Sequence, residues 1–402
     1  MSIIQLVHLS IEIFLSIGVS GLFILGLVLL VECIAAIFPV VKQTVNHQGN
    51  LPNPKVAILV PAHNEENVIN NTLSNLMSTF EHQHELVVIA DNCSDRTATI
   101  ARNTGAIVIE RQDSQRLGKG YALDYGLQYL ADSAPDVVVF IDADCQVEPN
   151  AIAILSEMAI ITGKPVQANY LMTKPSQHSP KDSISAFAFK VKNLVRSQGM
   201  TRLGLPCLLA GTGMAFPWSV ISSINTASAD IVEDMKLGLD LSIVGYPPIF
   251  CPNACVIGNL PQNTQAAHNQ RTRWEHGHLQ TILTYVPKLF LAGLKQKRFK
   301  LFVSALDLCI PPLSLLVVMW ISMMLITLLF FAISSMWIPL AVTGLTGFLI
   351  LTAILISWKK FASSDLPLRE LLAVPIYILW KIPLYLKFLI QPQKTWIRTE
   401  RD

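Results

Sequence analysis

The sequence predicts an α/β protein: a doubly wound, mostly parallel sheet flanked by transmembrane helices, one N-terminal and two C-terminal, with interfacial helices beside them. Three observations carry this. From Lys55 to about Thr281, short β-branched runs alternate with helical ones, the pattern of strands joined by crossover helices. Long uncharged apolar stretches stand on either side of that region. Mean hydropathy reaches +0.46 with 51% apolar residues, because only 14% are charged and the apolar excess is clustered.

Taken in order, Ile13 to Val31 is 19 apolar or small residues without a charge, enough to span a bilayer. It exceeds a signal-peptide core and no small-residue cleavage site follows, so it predicts an anchor. Glu32 and Lys42 bracket its inner end, and a polar linker runs from Gln43 to Pro54. Val56 to Val60 predicts a strand ending in Pro61-Ala-His-Asn-Glu65, followed by a helix from about Glu66 to Met77. Leu86 to Ala90 is a second strand, ending at Asp91, with a helix over Thr97 to Asn103. Ile107 to Glu110 is a third strand, Tyr121 to Leu130 a helix, and Val137 to Ile141 a fourth strand.

Beyond that point Ser183 to Arg196 has helical periodicity, and Leu208 to Phe216 is an apolar run broken by Gly211 and Gly213. Asp230 to Lys236 opens a helix with acidic residues in its first turn. A strand surrounds Ile249-Phe250, and Gln270 to Trp274 begins another helix. Tyr285 to Lys300, rich in lysine, predicts a helix on the membrane surface. Leu308 to Ile333 and Trp337 to Trp358 are two further spans, parted by Ser334-Ser335. Leu371 to Ile390 is apolar but carries Lys381 and Lys387 and is read as interfacial. Basic flanks at Lys295 to Lys300 and Lys359-Lys360 place these ends in the cytoplasm by the positive-inside rule. The predicted division is 1–50 anchor and linker, 51–284 cytoplasmic catalytic domain, 285–402 membrane and interfacial helices.

Composition also excludes. A net charge of +2, without a basic stripe bearing aromatics, gives no nucleic-acid footprint. Seven scattered cysteines give no disulfide framework, and Cys251 and Cys255 lack the second pair that a zinc site needs.

The chemistry starts at Asp142 and Asp144, directly after the fourth strand. In open α/β sheets ligands bind beyond the carboxyl ends of strands. Two neighbouring carboxylates repel unless a cation joins them, and hard oxygens suit Mg²⁺ or Mn²⁺. A lone D-x-D also fits a solvated turn. The rest of the series decides between the two: Asp91, then Asp142/Asp144, then Glu233-Asp234, then Gln270-x-x-Arg273-Trp274.

In this order, on an α/β domain between membrane segments, the series resembles the membrane-bound family 2 glycosyltransferases of the cellulose synthase, hyaluronan synthase and ceramide glucosyltransferase type. The resemblance covers roughly Val56 to Leu279 and implies a GT-A-type fold. It also implies an inverting, metal-assisted transfer from a nucleotide-sugar, here a UDP-sugar, to a lipid or saccharide acceptor. Carried over, Asp91 contacts the base, with Pro61 to Glu65 as the neighbouring wall. Asp142 lies against the donor, Asp144 binds Mn²⁺ or Mg²⁺, and Lys119 approaches the diphosphate. Asp234 is the general base, with Glu233 as a neighbouring acid that can raise its pKa. Gln270, Arg273 and Trp274 sit at the acceptor mouth. The resemblance further implies an integral protein of the plasma membrane, with export or polymerisation partner proteins.

The chain departs from that family in two places. Asp91-Asn92 stands where many members have two aspartates, and no F-x-V-T-x-K gating loop follows Trp274. Three spans also give one copy few helices to enclose a polysaccharide channel. Two other functions share the same features: a processive polysaccharide synthase acting with partner subunits, and a non-catalytic nucleotide-binding membrane scaffold. His276 and His278 are read as a solvated or interface pair rather than metal ligands, and Asp95 as a structural residue closing the turn at Asp91.

Overall fold

The computed structural model describes residues 3–38, 54–79, 84–175, 179–261 and 263–393. Lys42, the linker from Gln43 to residue 53, and Lys394 lie outside the described residues.

The anchor helix α1 (Ile3–Ile37) leads to β1 (Val56–Ala62), α2 (Ile69–Ser78), β2 (His84–Asp91), α3 (Thr97–Asn103) and β3 (Ile107–Arg111). Next come α4 (Lys119–Leu130), β4 (Val137–Phe140), β5 (Gln146–Val147), α5 (Ala151–Thr162) and β6 (Val166–Thr173). A long helical run follows: α6 (Pro180–Lys190), a π-helical turn over Val191–Arg196, and α7 (Ser197–Arg202). Then β7 (Met214–Pro217), α8 (Trp218–Ile221), α9 (Glu233–Val244) and β8 (Ile249–Asn259) complete the α/β region. The C-terminal part holds α10 (Thr264–Gln296), α11 (Phe299–Cys309), α12 (Leu313–Ser334), α13 (Ile338–Phe361), α14 (Leu368–Leu371) and α15 (Val374–Ile390).

One eight-stranded sheet runs in the order β3-β2-β1-β4-β7-β6-β8-β5. β3, β2, β1 and β4 are mutually parallel, β7 is antiparallel to β4 and β6, and β6 is parallel to β8. The alternation of side chains along a strand explains the two cores. Val56, Ile58, Val60, Val137 and Val139 pack with α2 and α5 on one face. Ala57, Leu59, Val138 and Phe140 pack with α4, Leu209 and Phe216 on the other. Both faces are covered, which is why these strands are continuous apolar runs. The chain reverses direction across the sheet between β1 and β4, so the loop after β4 opens at the switch point.

Several boundaries differ from the sequence reading. The predicted span Leu308 to Ile333 is two helices, because Pro311 and Pro312 lack N–H donors and break the chain after α11. The predicted surface helix Tyr285 to Lys300 is the second half of α10, which ends where Lys297 turns left-handed. The helix predicted to begin at Gln270 starts six residues earlier, where the Asn263 side chain accepts the N–H groups of Gln265 and Ala266. The periodic run Ser183 to Arg196 is α-helical only to Lys190. Helix α5 and strand β6 had no counterpart in the sequence reading.

Among the described residues three helices are long and apolar enough to cross a membrane: Ser10–Ile37 of α1, α12 and α13. Large apolar side chains such as Phe14, Ile17, Leu329, Ile333 and Phe348 stand exposed on them, as lipid-facing residues would. α1 packs Leu22, Leu29, Cys33 and Ala36 against Val195, Ile310, Leu316 and Ile350. At Gly199 a Cβ would lie 2.0 Å from the Glu32 carbonyl oxygen, so α7 meets α1 backbone to backbone. Deep between them Arg196 donates to Glu32 (2.8 Å) and to Asp307 (2.5 Å), tying the π-turn to α1 and α11. α15, at 17 residues, is docked by a buried ion pair of Lys381 with Glu275 of α10.

Candidate active site

The site is assembled around the end of β4. The chain passes through Ile141 into a tight turn in which the Cys145 N–H donates to the Asp142 carbonyl (3.2 Å). The Asp142 N–H donates to the Thr212 hydroxyl (3.0 Å), which fixes the first carboxylate against the loop before β7. Asp142 pairs with Lys119, the first residue of α4. The same ammonium donates to the Gly211 carbonyl (2.6 Å) and stands 3.9 Å from a Glu233 carboxylate oxygen. Burial opposes charge on Lys119, but Asp142, Glu233 and Asp234 outweigh it and raise its pKa.

Glu233 and Asp234 form the first turn of α9. Burial, against the pull of Lys119, raises the Glu233 carboxyl to about 7, with Asp234 adding to the rise. Burial likewise raises Asp234, opposed by Lys119. Two adjacent acids therefore hold protons more tightly than ordinary carboxylates, as a proton acceptor working near neutrality requires.

The loop 208–213 that frames both acids is held from β6. Buried Gln167 accepts the Ala210 N–H (2.8 Å) and donates to the carbonyls of Thr212 (2.9 Å) and Ala168 (3.0 Å). Gly213, at φ +64°, would carry a Cβ 2.7 Å from Ala168, so only glycine lets the loop lie this close to β6. Gln167 had no part in the sequence reading. Its signal was an amide flanked by apolar Val166 and Ala168 at the start of β6.

Asp142, Asp144 and Cys145 each offer a ligand atom within 4.8 Å of the others. The two carboxylates are hard donors that fit Mn²⁺ or Mg²⁺, whereas the buried thiol is soft and does not belong to that set. On the β1–β2 side, Asp91 ends β2 and is buried against Arg111 (2.6 Å). Arg111 also bonds Asp113 (3.2 Å) and the Arg116 carbonyl (2.8 Å). The adjacent Asn92 accepts the Asp113 N–H (2.8 Å). Pro61 pairs in register with Ile89 near the ends of β1 and β2. His63 donates to the Asp91 carbonyl (2.7 Å), and the Glu65 N–H donates to the Thr97 hydroxyl (2.7 Å). Asp95 accepts the N–H groups of Thr97 and Glu66, the structural part expected of it.

A cavity of about 220 Å³ has Lys119, Asp142, Glu233, Asp234, Arg273 and Trp274 in its walls. Pro61, Glu65, Asp91, Asp144 and Gln270 lie outside those walls. Gln270 is buried one turn before Arg273, its side-chain oxygen without a hydrogen-bond partner among the described residues. Trp274 packs on Phe189 of α6 (centroids 5.6 Å apart), and Phe189 meets Tyr170 edge-on (5.1 Å). His276 donates to the Leu384 carbonyl (3.0 Å) and His278 to the Leu308 carbonyl (3.2 Å), so both are interface residues, as the sequence suggested. At its far end the cavity reaches Leu29 of α1 and Ile310 to Leu313, where the spans begin. Lys192 and Arg196 of the π-turn also line it; neither was singled out in the sequence.

Residues 52–277, which hold the site residues from Pro61 to Trp274, match the family described as glycosyltransferase like family 2. The chain belongs to that family. Among its relatives, the Bacillus subtilis (strain 168) protein named Probable glycosyltransferase YdaM is 28% identical over 265 residues, 62% of this chain and 61% of that one. Poly-beta-1,6-N-acetyl-D-glucosamine synthase of Staphylococcus aureus (strain MSSA476) is 26% identical over 260 residues, 62% of this chain and 59% of that one. The chain thus spans about three-fifths of the length of the curated relatives it matches. Mannosyltransferase PcManGT from Pyrobaculum calidifontis, solved in complex with GDP-Man and Mn²⁺, superposes with a TM-score of 0.54 at 17% identity. That match covers 93% of this chain and 99% of the other and is a likeness of fold. The chain thus has a family 2 glycosyltransferase domain of GT-A fold and, among its described residues, three helices long and apolar enough to cross a membrane.

Proposed function

We propose that the protein is an inverting glycosyltransferase carrying a sugar from a UDP-sugar to a hydroxyl of a lipid or growing polysaccharide. In this reading the catalytic domain, residues 51–284, lies on the cytoplasmic face of the plasma membrane. The anchor and linker over 1–50 and the helices over 285–402 flank it. The observation that carries the proposal is the single cavity in which Asp142 and Lys119 stand beside Glu233 and Asp234 and whose far end reaches the membrane helices.

The residues divide the work. Departure of a nucleoside diphosphate leaves negative charge on the leaving group and positive charge on the sugar. Lys119 lies where it can follow the diphosphate once Asp142 turns to the donor, and Arg273 offers a planar cation in the same cavity. Mn²⁺ or Mg²⁺, held by Asp144 with Asp142, supplies the remaining charge neutralisation when bound. Asp91, oriented by Arg111, and the Pro61–Glu65 wall receive the base. Asp234 takes the proton of the attacking hydroxyl, its pKa kept high by burial. Gln270 supports the Arg273 turn, and Trp274 gives an indole face to the acceptor. Attack from the side opposite the leaving group inverts the anomeric centre.

Calorimetry with UDP and Mn²⁺ on the full chain tests the division. Asp234→Asn should bind as the wild type does, and Asp144→Asn should bind much more weakly because a metal ligand is gone. Equal losses would move Asp234 to the donor site and leave Glu233 as the base. Orientation has its own test: a cysteine placed at Lys394 should stay unlabelled from outside intact cells, and labelling there would make α15 a fourth span. The staphylococcal relative's name favours polymer synthesis as a second reading. The chain length of the product made in membranes separates it from single transfer.

A further inference from the structure

The helical run from Pro180 to Arg202 is interrupted by the π-turn Val191–Arg196. Such turns redirect side chains and recur at functional sites. Here the turn brings two cations, Lys192 and Arg196, into the wall of the catalytic cavity. They differ in partners. Arg196 is paired with two carboxylates, donating through Nε to Glu32 and through Nη2 to Asp307. Lys192 has no hydrogen bond and no ion pair among the described residues.

Its surroundings leave it short of negative charge. Burial lowers the Lys192 pKa; Asp234, Asp307 and Glu275 draw it the other way but do not restore it, and Arg196 adds to the fall. An ammonium kept in a cavity without a counter-ion is costly unless a ligand brings one. The same cavity is also lined by the apolar Leu29, inside the first membrane-length helix, and by Ile310, Pro311, Pro312 and Leu313, at the start of α12. A ligand lying along it has a charged part at one end and an apolar part at the other.

We propose that the acceptor is an anionic membrane lipid whose phosphate is held by Lys192, with its hydroxyl presented to Asp234 and its chains along Leu29 and Ile310–Leu313. This rests on the glycosyltransferase reading of Asp234 and goes beyond it by naming the acceptor class. Lysine suits this task as a compact point charge for phosphate.

The probe is a phosphatidylglycerol with a diazirine next to its headgroup, given to the full chain in phosphatidylcholine nanodiscs, with labelled peptides mapped by mass spectrometry. Labelling is expected on the peptides around residues 188–193 and 310–314 and is displaced by unlabelled phosphatidylglycerol. Lys192→Gln should lower it about tenfold, the loss expected for one charge-assisted contact, and Lys192→Arg should restore most of it. UDP binding with Mn²⁺ should be unchanged in Lys192→Gln. Labelling that is indifferent to Lys192→Gln, unrestored by Lys192→Arg, or equal with a phosphatidylcholine analogue overturns the proposal. Displacement by a glucuronate oligosaccharide but not by phosphatidylglycerol also overturns it, in favour of an acidic polymer. Lys192-dependent labelling in a wild-type chain that binds neither UDP nor GDP would instead remove the donor reading and leave the lipid site standing.

Discussion

The two halves of the cavity region are built differently. On the donor side each charge has a partner within the protein: Asp91 with Arg111, Arg111 with Asp113, and Asp142 with Lys119. On the membrane side Lys192 has none among the described residues, the Gln270 side-chain oxygen is unsatisfied, and Glu233 and Asp234 are held toward their protonated forms. Buried polar groups are normally satisfied, and exceptions need a cause. On the proposed roles, the contrast fits a donor side preorganised by the fold and an acceptor side completed by its substrate.

The largest effect that would sharpen this contrast is at the base. Asp234→Asn keeps the shape but cannot accept a proton, so transfer should fall by about 10² to 10⁴-fold. A rate assay at saturating donor reads this directly, and near-normal turnover would break the assignment. On the donor side, Arg111→Met should cost stability rather than chemistry alone. Removing one partner of a buried pair leaves the other charge uncompensated, at about 3–5 kcal/mol. Thermal unfolding of the solubilised chain should show a clear loss, relieved when Asp91→Leu is added to the same chain. A single variant as stable as wild type would mean that this half is not preorganised by the pair.

Gln167→Leu comes next. It orphans the Ala210 N–H and the Thr212 carbonyl, a loss of about 1–3 kcal/mol. UDP affinity should drop with it, because Thr212 positions Asp142. The smallest effect is the pH response. Burial raises Glu233 to about 7, and the acid pair must release a proton before Asp234 can act. The rate should therefore climb with pH through about 7, no more than tenfold per unit. In Glu233→Gln that limb should move to lower pH, since Asp234 no longer shares its site with a second ionising acid. A limb that stays in place would separate Glu233 from the base.

Much of the fold was legible because it is written locally. Alternating apolar runs marked β1 to β4, helix α3 was placed at its observed limits, and three uncharged stretches marked the membrane-length helices. The site motifs were legible for the same reason: strand ends bear Asp91 and Asp142, and single helices carry Glu233-Asp234 and Arg273-Trp274. What stayed hidden depends on residues far apart in the chain. Lys119 meets the Gly211 carbonyl across 92 positions, Arg196 meets Glu32 across 164, and Gln167 grips a loop 43 residues away. No local pattern encodes such pairs, because each residue alone is also compatible with a solvated surface. The π-turn that turns Lys192 inward is equally invisible, since α- and π-helical turns share one apolar spacing at this length. Residue types and strand ends settled which chemistry the chain carries. Only packing the π-turn against α1 and α11 decided which cation keeps its counter-ions and which is left facing the cavity, because burial is what makes an unpaired charge costly.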